Sequence, residues 1–80
     1  MPLPKQWRSL DRDAVGRAPE RYGVYELGDD DGSVVEVGAG VLRDELKTAL
    51  SYGNGSKVRW EETNTRERAE ELAAEHRERR

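Results

Sequence analysis

Residues 21–40 read RYGVYELGDDDGSVVEVGAG, and this stretch decides the fold. Two short runs rich in Val and Tyr predict β-strands over 22–27 and 33–37. Between them GDDDG supplies residues that tolerate the positive φ of a tight reversal, so the pair reads as a hairpin. Asp29, Asp30 and Asp31 are expected to act as turn residues, because the spacing of a calcium loop and its terminal glutamate are missing.

Outward from the hairpin, "GAG" releases the chain into VLRDELKTALSYG. There Leu42, Leu46, Ala49 and Leu50 recur at helical spacing. Asp44 and Glu45 suit the first turn, and Gly53 suits the end. After the loop YGNGS, KVRWEE alternates Val58 and Trp60 with Arg59 and Glu61, which predicts a half-buried third strand. Asn64 and Glu67 have capping-box spacing for a last helix. Its apolar stripe is narrow: Ala69, Leu72, Ala73 and His76. The closing RERR places cations at the negative end of the dipole.

Before the hairpin, MPLPKQ is expected to be an irregular lead-in because of its prolines. Ser9 is the expected cap of a short helix carrying Trp7, Leu10, Ala14 and Val15 near one face, ended by Gly16 and Pro19. The order α-β-β-α-β-α predicts an α+β fold with a three-stranded, mainly antiparallel sheet flanked by helices. Residues 1–80 form one domain, with 1–18 as an extension bearing the short helix and 19–76 as the core.

Composition bounds what this domain can do. Hydrophobic residues are 34% of the chain, and Leu plus Val total 14 of 80 residues, with no Ile or Phe. Eighty residues bury only about 60–65% of their unfolded surface, so the core is thin. Trp60 and Trp7 are expected to anchor it, Trp7 by pinning the first helix. The 14 basic and 17 acidic residues nearly cancel, which argues against disorder. A net charge of −3 gives no electrostatic drive toward nucleic acid. With no cysteine, disulfides and thiolate metal sites are excluded. No apolar run suits a signal peptide or a membrane span, so a cytoplasmic protein is expected.

The succession of strand, acidic turn, strand, helix, strand and helix, with Gly23-Val24-Tyr25 on the first strand, resembles the GIY-YIG endonuclease superfamily over residues 19–76. In that family the second strand ends in Tyr-Ile-Gly, a Leu-Arg-x-Arg-Leu run opens the next helix, and a Glu on the last helix binds a divalent metal. The resemblance places Tyr25 at an active-site tyrosine. Val37 and Gly38 match the second triplet, whose tyrosine is replaced by Glu36. Leu42, Arg43 and Leu46 match the helix run, but the phosphate-stabilising second arginine is Glu45. RAEELA fits the last-helix motif with Ala73 at the metal-binding position and Glu71 and Glu75 flanking it. Tyr25, Glu36 and Arg43 are therefore the candidate catalytic positions, and Glu71 and Glu75 the candidate metal ligands.

Phosphodiester hydrolysis needs an activated water, a cation near the leaving oxygen and stabilisation of charge on the phosphoryl group. Glutamate in place of a phosphate-facing arginine repels where attraction is needed, and loss of the metal carboxylate removes the Lewis acid. The expected function is thus a GIY-YIG-like domain that has lost hydrolysis and serves as a binding or structural module for a protein or nucleic-acid partner. No cofactor is expected, no membrane partner, and a monomer or weak homodimer.

Two alternatives remain. One is a nuclease with relocated ligands that uses Mg2+ through Glu71 or Glu75, or through Glu36, Glu45 and either of these converging. The other is a homodimeric scaffold. Arg43, Lys47, Lys57 and Arg59, with Trp60 or Tyr52 for stacking, are the candidate nucleic-acid-binding residues, weakened by Glu61 and Glu62. Bland readings stand beside these: Tyr25 as packing, Gly23 and Gly38 as points of close backbone approach, Glu36 as a solvent-facing strand residue, and His76 as a lone surface histidine.

Overall fold

A computed structural model describes residues 6–53 and 55–79. Residues 1–5 of the expected irregular lead-in, position 54 of the loop, the side chain of Arg79 and the whole of Arg80 lie outside what is described. The elements run β1 (Arg8–Ser9), α1 (Arg12–Arg17), β2 (Tyr22–Gly28), β3 (Val34–Val41), α2 (Leu42–Tyr52), β4 (Lys57–Glu62) and α3 (Arg66–Arg79). The fold is α+β, but the sheet has four strands rather than three, all antiparallel, in the order β1-β4-β2-β3. The added strand is the two-residue β1, where Arg8 and Ser9 pair with Val58 and Lys57. Two exposed polar residues carry no period, so only the partner strand reveals them.

The hairpin forms as expected, held by its turn. Asp29 Oδ1 accepts from the N–H groups of Asp31 and Ser33, each at 3.0 Å, and Gly32 takes φ 83°. Tyr25 faces Gly38 and Leu27 faces Glu36, while a bulge after Leu27 leaves Val35 as the extra residue. β3 also runs through the Gly-Ala-Gly expected to end it. Gly38 stays in the strand because the Tyr25 ring lies across it, where any Cβ would collide with that ring. Gly40, with φ 153°, is still paired with Gly23, a Cβ there would press on Glu45 Cγ at 2.9 Å, and the strand gives way to α2 only after Val41.

Both faces of the sheet are covered. On one, Tyr25, Leu27 and Val58 pack beneath Leu10, Ala14, Val15, Ala18, Leu42, Leu46 and Ala49, with Leu50 and Trp60 at the margin. Residues before 19 are therefore part of the core rather than an extension. Asp11, not Ser9, caps α1, accepting from Ala14 N–H at 2.9 Å, because Ser9 is committed to β1. Trp7 precedes the helix and packs instead against Gly28 of β2.

The other face carries α3, whose Ala69 and Ala73 are small enough to bring the helix close. Thr65 caps it, accepting from Arg68 N–H at 3.1 Å, one residue later than the Asn64 box predicts. Its cover corrects two expectations. Arg59, read as a solvent-facing strand residue, has a side chain only 12% exposed, and His76, read as a surface histidine, is 8% exposed. β2 consequently has six of its seven residues buried.

Candidate functional site

The sheet ends at β3 on one side, and Tyr25, Glu36 and Glu45 come together beside that strand. Alternate residues of a strand share a face, so Glu36, Gly38 and Gly40 form one row. The Tyr25 ring crosses the row at Gly38 and the Glu45 side chain lies over Gly40. Tyr25 is 8% exposed, and its hydroxyl has no hydrogen-bond partner among the described residues. Glu36 is exposed and Glu45 half-buried, and neither has an ion-pair partner among the described residues.

From the other face of the sheet, Arg77 donates Nε and Nη2 to the Val37 carbonyl at 3.0 and 2.8 Å. A cleft of about 500 Å³ is lined by Val35, Glu36, Val37 and Arg77.

The electrostatics follow from this placement. Burial pushes the Tyr25 phenol up to about 12, helped by the Glu45 and Glu36 carboxylates and opposed by Arg77. Burial also raises Glu45, with Asp44 and Glu36 adding repulsion. At neutral pH the Tyr25 hydroxyl is a protonated donor in a negative field, which is poor ground for a phosphate and favourable ground for a cation.

The other sequence-predicted residues lie elsewhere. Arg43 donates Nε to Ala18 O at 3.0 Å and Nη1 to Glu20 at 2.8 Å, binding α2 to the end of α1. Lys47 lies on α2 beside Leu10 and Arg12. Lys57 and Arg59 alternate on β4 and so share a face, while Trp60 is on the opposite one, under the Arg8 guanidinium. The basic residues therefore do not make a single patch, and Tyr52 stands apart at the exposed end of α2.

Glu71 and Glu75 are both exposed on α3, with Glu71 paired to Arg68 at 3.1 Å, and Ala73 is buried against the sheet. Among the described residues no three acidic or histidine side chains are placed to hold a metal ion. No described helix is long and apolar enough to cross a membrane.

Three residues were missed from sequence. Glu26 is 1% exposed and binds Arg59 Nε through Oε1 at 2.6 Å. His76 Nδ1 approaches Glu26 Oε2 to 3.2 Å without hydrogen-bond alignment. Arg77 is the third. The only available signal was that His76 continues the 69-72-73 stripe that faces the sheet.

Fold and site together define a small antiparallel α+β domain with an acidic, tyrosine-bearing sheet edge. The chain belongs to the family described as Domain of unknown function (DUF7508), which matches residues 1–79. No curated protein and no solved structure matches it significantly.

Proposed function

We propose that this chain is a GIY-YIG-like domain that has lost phosphodiester hydrolysis and acts as a cytoplasmic binding module, a monomer or weak homodimer. The observation that carries this reading is the company of the Tyr25 hydroxyl. It shares its surroundings with Glu36 and Glu45, while Arg43 is committed to Ala18 and Glu20. A phosphodiester carries negative charge that grows in the transition state, and catalysis depends on cations placed where that charge develops. Two carboxylates at that place oppose it. Arg77, whose charge acts on the Tyr25 phenol, already spends two donors on a backbone carbonyl.

A plasmid-nicking assay with millimolar Mg2+ or Mn2+ tests the reading. No conversion of supercoiled plasmid above background is expected. Nicking that depends on metal and disappears in Tyr25→Phe would establish instead the endonuclease with relocated ligands.

A further inference from the structure

β3 is the outermost strand on its side of the sheet. An edge strand presents unpaired N–H and C=O groups, a template for another chain. The outward direction is marked by Val37, whose carbonyl accepts from Arg77 rather than from β2. Outward residues alternate in an antiparallel ladder, so Ala39 shares that direction. Beside this edge stands the row of Glu36, the Tyr25 hydroxyl over Gly38, and Glu45 over Gly40, set on strand positions 36, 38 and 40 that repeat at about 6.6–6.8 Å, two residues of strand rise.

We propose that the β3 edge takes a basic, extended segment of a partner protein as a fifth strand, with alternate Lys or Arg side chains beside Glu36, Tyr25 and Glu45. A strand added at an edge projects alternate side chains at the same repeat, so charge and spacing match together. The buried tyrosine supports a ligand at this row. Tyr25 as a residue is 8% exposed, and its hydroxyl reaches the surface of the row without a hydrogen-bond partner among the described residues, where it is free to accept from an incoming cation.

Arg77 holds the place of the incoming strand and yields the Val37 carbonyl to it. Other occupants fit less well. A second copy of this edge would set carboxylate against carboxylate, which destabilises a strand pair. Nucleic acid would bring phosphates to the same carboxylates.

This inference rests on the reading as a binding module, but the two fail separately: nicking would appear in the plasmid assay, loss of the edge in a peptide titration. The titration uses the full chain, amide NMR, and a capped nine-residue peptide alternating Lys and Val. Expected are shifts concentrated at Val37 and Ala39, and at least a tenfold loss of affinity between low salt and 0.3 M NaCl. Glu36→Gln with Glu45→Gln should weaken binding at least fivefold, and Tyr25→Phe about twofold, with the spectra showing each variant folded. A peptide of the same composition with its lysines contiguous should bind at least fivefold more weakly, since nonspecific attraction ignores order. Equal binding of the two peptides, or shifts away from β3, would overturn the proposal. So would β3 shifts caused by duplex DNA or by self-association of the chain alone.

Discussion

Arg59 holds Glu26 at 2.6 Å in the layer between the sheet and α3, with Glu26 almost wholly removed from water. Trp7 covers the same guanidinium from 3.9 Å, so its flat face also has a partner. A charged pair this deep is costly to break and not intrinsically a gain over a packed apolar pair.

Glu26→Ala leaves a buried guanidinium without its carboxylate and is expected to destabilise by about 3–5 kcal/mol. A domain of this size has about 4–12 kcal/mol in all, so the urea transition should move far left or vanish. Glu26→Leu with Arg59→Met should recover most of the loss. A double variant as unstable as the single one would show that the pair's charge is not what matters.

Gly38→Ala drives a methyl into the Tyr25 ring and should cost about 1–3 kcal/mol as overpacking. Tyr25→Ala empties that space, so the two changes should couple, and the double variant should lose at least about 1 kcal/mol less than the sum. Additive losses in a double-mutant cycle would refute the contact.

Stability should fall at high pH because of Tyr25. Its folded value of about 12 exceeds the ordinary 10. Between those values the unfolded chain has released the proton and the folded chain has kept it, so unfolding is favoured as pH rises. The contribution is intact below about pH 10 and diminishes by about 2–3 kcal/mol toward pH 12. Urea melts at pH 9 and 11 compared with Tyr25→Phe, which should lack this slope, check it. Glu45 is also raised, so its penalty applies above its unfolded value. Glu45→Gln should stabilise by a few tenths of a kcal/mol at pH 7 and not at pH 3.5.

Arg43→Ala should cost about 1–2 kcal/mol by stripping donors from the Ala18 carbonyl and the Glu20 carboxylate. Arg43→Lys should restore little, because one ammonium lacks the fork that reaches both. Peptide affinity at the β3 edge should not change in either variant. A selective loss of binding with stability intact would return Arg43 to the site.

The hairpin and α2 were legible because Val, Tyr and Leu fall at periods of two and 3.6 within residues 22–50. The rest was hidden for particular reasons. β1 has no pattern of its own. Ser9 and Asn64 are both reasonable caps, yet Asp11 and Thr65 hold the positions because tertiary pairing sets the helix starts. The Glu26–Arg59 layer was unreadable because polar alternation on β2 and β4 looks like a solvated face. A stripe built on Ala69 and Ala73 does not advertise that it will cover that face. At the edge, Glu36 and Glu45 could be named as substitutions, but their relation to Tyr25 required the register that sets Gly38 beneath the ring.

β2 is sheathed by α2 on one side and by α3 on the other, and α3 follows all the other described elements in the chain. On the ribosome, the hairpin and α2 emerge with Val24 and Glu26 still lacking their cover. No earlier stopping point buries both faces. The domain is therefore committed to assemble in one cooperative step after α3 has cleared the exit tunnel, and a nascent chain stalled before Ala69 should remain open to proteases.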